Sequence, residues 1–293
     1  MTSRFTALSA CMALTFAVSA ADVTATLDFK ESPEKSMSMK FVETVSSPLA
    51  KWRLEFANYR AHGNVPRRFA VRSCNSKQFG FCGLFSFFRV EANGIPDYKL
   101  QLGERACRPY EDGRRKGVEY MLNYDGAPVR TRFWMEPGSP FLEGEIRCST
   151  KGIDLVRNLR VDIAAVPSFL DREQSGGWRF KGYRRAVRTA ARTLRAGDGK
   201  DVSIRPDDRW FVLMDEDYDG SGEGKGNGPS AVLLRGACEG RIRLDDGWLT
   251  GVQLAPDPSK PFRFALAEFP SVRMSNEAFA EVIEKREKGG SGR

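Results

Sequence analysis

The stretch DEDYDGSGEGKGNG, Asp215 to Gly228, concentrates more ionisable chemistry than any other part of the chain. Asp215, Glu216, Asp217, Asp219 and Glu223 fall within nine residues, and glycines alternate after them. Carboxylates this close repel one another, so a cation, arginines of the same chain or water must offset the repulsion. Asp215-x-Asp217-x-Asp219-Gly220 matches the opening half of a calcium loop, where alternate oxygens of a curling segment converge on a hard cation. Glu223 takes the ninth position of that register, but the twelfth, where an EF-hand needs a bidentate Glu, is Gly226. The flanks RWFVLM and SAVLLRG read as strands, so the loop is not an EF-hand. Two expectations stand. One is a strand-loop-strand Ca²⁺ site through Asp215, Asp217, Asp219 and Glu223; the other is a glycine-rich surface loop whose carboxylates pair with arginines. Phosphate is a poor fit, because the carboxylates repel an anion and no helix start follows.

A second group of residues suits sugars. Aromatic faces pack against the C–H groups of a sugar ring, while its hydroxyls need carboxylate, amide or guanidinium partners. Trp178, in GGWRF, follows a flexible loop and stands beside Arg179; Trp134 precedes the turn MEPGSP. Trp178, Arg179, Trp134 and Glu143 are therefore the candidate carbohydrate-binding residues. Glycoside hydrolysis needs two carboxyls facing each other across the bond. Glu143, Glu145, Asp162 and Asp171 are available, but no spacing selects a pair, and no catalytic residue is assigned. Tyr183 beside Arg184 and Arg185 has the composition of a lyase base. His62 is the single histidine and there is no CxxC, which argues against a His/Cys zinc site and a histidine-dependent triad. Cys74 and Cys82 bracket a loop short enough for a disulfide.

The address limits the partners. Residues 1–21 read as a signal peptide: Arg4, then an uncharged apolar run from Phe5 to Val18, then small residues at a cleavage site. The expectation is an exported protein, periplasmic or extracellular. The run is too short to span a membrane, and no later run approaches that length, so no transmembrane span is expected. A net charge of +8 arises from 46 Lys plus Arg spread among 38 Asp plus Glu. That spread, with export, favours carbohydrate, acidic polysaccharide in particular, and argues against nucleic acid. Nothing in the sequence specifies a substrate or an oligomeric state.

Short alternating runs separated by turn residues must position these groups. VTATLDF, FAVRS, GLFSFFRVEA, VEYMLNY, VRTRFWM, FLEGEIRC, RWFVLM, SAVLLRG and FRFALAEF read as strands, with NG, DG, PGSP and PDPSKP between them. RIRLDDGWLTGVQL reads as a hairpin turning at Asp246-Gly247. Strands at this spacing without intervening helices predict an all-β fold, a large antiparallel β-sandwich over residues 22–288 as one domain. One short helix is expected near the C-terminus, capped by Ser275, stapled by Met274 and Phe279 and stopped by Gly289-Gly290, with 289–293 as a disordered tail. YRRAVRTAARTLRAG (183–197) fits a strand better than a helix, as a solvated edge or as a basic ridge for an anionic polymer.

Three blocks, SPFLEGEIRC, DLVRNLRVDIAAVPSF and DDRWFVLMDEDYDGSGEGKGNGPSAVLL, resemble the galactose mutarotase-like supersandwich group of bacterial carbohydrate-handling proteins in strand rhythm and order. The resemblance implies a large antiparallel sandwich with a cleft that accommodates sugar. Catalytic members of that group use a pair of histidines with a carboxylate. With His62 alone, no residue role carries over.

Overall fold

Alternation decides which side of each strand is buried, and in this chain it builds two antiparallel sheets whose inner faces meet. The computed structural model describes residues 23–31, 37–46, 50–59, 69–73, 81, 86–103, 105–149, 155–167, 169–172, 178–181, 184–218, 228–244, 250–268 and 274–290. The chain opens with a meander of β1 (Thr24–Glu31), β2 (Met37–Ser46), β3 (Lys51–Tyr59), β4 (Phe69–Ser73) and β5 (Phe88–Ala92), to which the short β6 (Ile95–Pro96) adds. It then crosses to the second sheet for β7 (Cys107–Asp112), β8 (Arg115–Tyr124), β9 (Ala127–Met135) and β10 (Leu142–Cys148). β11 (Leu159–Ala165) returns to the first sheet, and β12 (Phe169–Arg172) pairs only with β13 (Trp178–Lys181). From there the chain alternates. β14 (Arg185–Thr189), β15 (Thr193–Arg195), β17 (Trp210–Asp215), β18 (Ser230–Leu234) and β21 (Phe262–Glu268) join the second sheet. β16 (Asp201–Ser203), β19 (Glu239–Arg243) and β20 (Thr250–Ala255) join the first, and α1 (Asn276–Gly290) follows.

The first sheet runs β1-β2-β3-β4-β5-β11-β20-β19-β16, and the second β15-β14-β17-β18-β21-β10-β9-β8-β7. Their inner faces share one core, in which Trp52, Phe56 and Phe88 of the first sheet meet Tyr120, Phe133 and Phe264 of the second. The rings of Phe88 and Phe264 are stacked at 5.5 Å, and Phe133 meets both edge-on. The expected all-β antiparallel sandwich with a short C-terminal helix is what the chain forms.

The outer face of the second sheet is divided in two. Over β14, β17, β18 and β21 it is apolar, and Phe279, Ala280 and Ile283 of α1 cover Trp210, Val212, Ala231, Leu233 and Ala265 there. Ser275 Oγ accepts the Ala278 N–H at 3.2 Å, and Met274 packs on the same cluster as Phe279, as a capped and stapled start requires. The helix continues through Gly289 and Gly290 instead of stopping before them, since glycine weakens a last turn without forbidding its hydrogen bonds. Over β7 to β10 the outer face is polar.

Tyr183 lies outside the described residues; residues 184–197 form a hairpin, β14 and β15, not one strand. The Thr189 hydroxyl accepts N–H groups of Ala191 and Arg192 and closes the turn. Arg185 is buried there, opposite Asp215, so the segment is not uniformly a solvated edge. Residues 1–22, His62, Cys74, Cys82, Asp246-Gly247 and 291–293 lie outside the described residues. Among the described residues no helix is long and apolar enough to cross a membrane.

Candidate functional site

The connections from β16 to β17 and from β18 to β19 both cross between the sheets at one end of the sandwich. Leu234 N–H donates to Arg209 O and Ile204 N–H to Gly240 O, which ties the two crossings together. Between them opens a cleft of about 580 Å³, within the range of small-ligand sites. Arg205, Arg209, Arg235, Asp208, Glu239 and Glu287 supply its charged lining.

Asp208 is 2% exposed. Its Oδ2 accepts the Arg192 guanidinium at 2.8 Å and the Arg205 N–H at 2.9 Å. Its Oδ1 is buried with no hydrogen-bond partner. The Thr189 hydroxyl stands next to this carboxyl. Burial opposes ionisation of Asp208, but Thr189, the Arg205 N–H and Arg192 outweigh it and hold the carboxyl below its usual range. Asp208 is thus an ionised carboxylate closed off behind the cleft wall, where it anchors Arg192 and the Arg205 backbone. Arg205 is exposed beside it, and Arg209 leans on Glu287 of α1 at 3.5 Å. A second recess of about 500 Å³ shares the Ala237-Cys238-Glu239 wall. Burial pushes the Cys238 thiol up to about 11, so it is not a nucleophile at neutral pH.

Arg235 links the cleft to the polar outer face. Its guanidinium grips both oxygens of Glu143 on β10, at 2.5 and 3.1 Å. Glu143 stands directly opposite Trp134 on β9, so the strand register brings together two of the residues expected to bind sugar. Burial pushes the Glu143 carboxyl up, and Arg235 offsets part of that. Trp134 is 5% exposed, with Tyr110 edge-on at 5.8 Å and its indole N–H directed to Glu136 at 3.5 Å. It forms a wall, not an open stacking face. Trp178 and Arg179 lie on the separate β12–β13 hairpin, opposite Arg172 and Asp171. Nothing in the described residues joins them to Trp134 and Glu143.

The acidic stretch begins at the far end of β17 from the cleft, about 20 Å away along the strand. It is therefore not beside this cleft. Asp215 is buried, and its Oδ1 accepts the Arg184 and Asp217 N–H groups at 3.1 and 3.0 Å. Arg184 bonds Asp217 at 2.9 Å, and Arg195 bonds Glu216 at 2.9 Å. Arginines thus offset the charge of Glu216 and Asp217. Among the described residues no three carboxylate, His or Cys side chains group as metal ligands. Asp219 and Glu223 lie outside the described residues.

Of the other available carboxylates, Glu145 is held by Arg147 and Arg263, and Asp162 accepts the Gln253 amide at 2.8 Å. Arg205, Asp208 and Arg235 had no signal in the sequence beyond the turn residues of RPDD, which precede β17.

No family model matches the chain, and no curated protein matches it. Among solved structures it is similar to an alpha-N-acetylgalactosaminidase, NagBb from Bifidobacterium bifidum in complex with GalNAc, at 10% identity and a TM-score of 0.39. The match covers 85% of this chain but only 35% of that one, so the chain spans about a third of that structure, and a likeness this distant decides no chemistry.

Proposed function

We propose that this chain is an exported protein that binds carbohydrate in the cleft at the end of the sandwich. The observation that carries the reading is the pairing, within one cleft, of two exposed and complementary groups, the Glu239 carboxylate and the Arg205 guanidinium. A sugar diol offers both complements: one hydroxyl donates to the carboxylate while its neighbour accepts from the guanidinium. Residues 1–21, read as a signal peptide, would deliver the chain to where glycans are met.

Glycan-array binding followed by calorimetry tests this. Binding to at least one glycan class is expected, weakened about tenfold or more by Arg205→Ala and by Glu239→Gln. Silence across neutral and acidic glycans would remove the proposal. A second reading, glycoside hydrolysis, is favoured by Glu143, whose carboxyl is pushed up by burial and by the nearby charge of Glu136. Release of reducing ends, abolished by Glu143→Gln, separates hydrolysis from binding alone.

A further inference from the structure

The polar half of the second sheet's outer face carries an ordered row of charge. In register across five strands stand Arg263 (β21), Glu145 (β10), Arg132 (β9), Glu119 (β8) and Arg108 (β7). The row starts beside the cleft, because the Arg235 N–H donates to Arg263 O at 3.1 Å. Glu145 receives Arg147 at 2.6 Å and Arg263 at 2.8 Å, with Arg132 at 3.6 Å. Glu119 receives Arg132 at 2.5 Å and Arg108, with Arg130 at 4.0 Å. Five guanidinium groups therefore share two carboxylates, and the surplus is cationic. Arg147 and Arg130 stand directly opposite each other on adjacent strands, a like-charge pairing that destabilises a sheet unless an anion joins it. Arg130 Nε is buried with no hydrogen-bond partner. Solvent reaches the ends of the row, with side-chain exposures of 67% for Arg108 and 52% for Arg263.

We infer that this row is a docking track for an extended acidic polysaccharide, distinct from the end cleft and independent of the reading given to it. Charge complementarity supplies the attraction. Spacing supplies the choice of polymer. Along the row arginine recurs at every second strand, about 10 Å apart, with a carboxylate between. A polyuronate lying across the strands brings its carboxylates to the guanidinium groups, which the buried Glu145 and Glu119 hold in place from below. Tyr110, with Arg132 4.7 Å over its ring, adds a half-buried aromatic beside the track. The closely spaced phosphates of a duplex would outnumber guanidinium groups set about 10 Å apart.

The test is binding of the full chain to polygalacturonate, with dextran, duplex DNA and anionic phospholipid vesicles as the other arms. Polygalacturonate is expected to bind, more weakly as salt rises. Arg108→Gln with Arg263→Gln should weaken it about tenfold or more while leaving the thermal melt intact, because Arg132 and Arg147 still satisfy both carboxylates. Arg147→Gln alone should act in the same direction and serves if the double variant does not fold. Lys288→Gln, on α1 over the other half of the sheet, should leave this affinity unchanged. Unaltered affinity in the row variants, or DNA or vesicles held as tightly as polygalacturonate, would overturn the inference.

Discussion

Glu43 and Glu119 are the same residue type in opposite circumstances, and their carboxyls move in opposite directions. Glu43 points to the inner face of β2, is 1% exposed, and neither of its oxygens has a hydrogen-bond partner. Burial, reinforced by the charge of Asp28, pushes its carboxyl up to about 8. On Glu119, burial is outweighed by Arg132 and Arg108, and the carboxyl falls below its usual range. The consequence at Glu43 has a definite sign. Between pH 4.5 and 8 the native state keeps a proton that the unfolded chain gives up, so this group erodes stability as pH rises through that window. Glu43→Gln should therefore be more stable than the parent at pH 7, on the order of 3 kcal/mol, with the advantage vanishing below the unfolded value. Urea melts of both chains across that range measure it. A difference that does not change with pH would refute this account of the residue.

β10 is the element on which the cleft and the charged row meet. Its outer face presents Glu143 to the cleft arginine and Glu145 to the charged row, while Leu142, Gly144 and Ile146 face inward. Gly144 is required there by close approach: a Cβ would lie 2.3 Å from Cζ of Phe264, whose ring is itself fixed against Phe88 and Phe133. Gly144→Ala must displace that ring, so a loss of about 2 kcal/mol is expected, seen as a lower denaturation midpoint at unchanged slope. An unshifted midpoint would mean the ring has room that the packing denies. Because β10 carries Glu143, the same variant should also weaken any ligand that depends on the grip of Arg235.

For the molecule as a whole, the second sheet has one outer face but two coverings. α1 shields the apolar half, and solvent meets the charged half. Removing residues 274–293 would uncover Trp210, Val212, Ala231, Leu233 and Ala265 together. The shortened chain is expected to self-associate or bind apolar dye, and light scattering would show it. A monodisperse shortened chain with the parent's melting transition would show that α1 is dispensable. The crossings that make the cleft are also a whole-molecule feature, since its wall takes Ile204, Cys238 and Glu239 from around one sheet and Leu234 and Arg209 from the other.

Local pattern determined a great deal. Alternation marked β8, β9, β10, β17, β18 and β21, and the Ser275 cap with its staple marked α1, because these depend on neighbours a few residues apart. β2, β3 and the split of 183–197 into a hairpin were not marked. The turn of that hairpin is closed by a threonine hydroxyl and carries neither Gly nor Pro. The site was barely legible. Glu143 and Trp134 could be named but not joined, and Asp208, Arg205 and Arg235 gave no local sign. Which glutamate stands opposite which arginine is fixed by strand register and by the order β21-β10-β9-β8-β7, in which β21 joins β10 from more than a hundred residues away. Period and capping are short-range properties of a sequence, whereas register and crossing are set by how the two sheets bury their inner faces together.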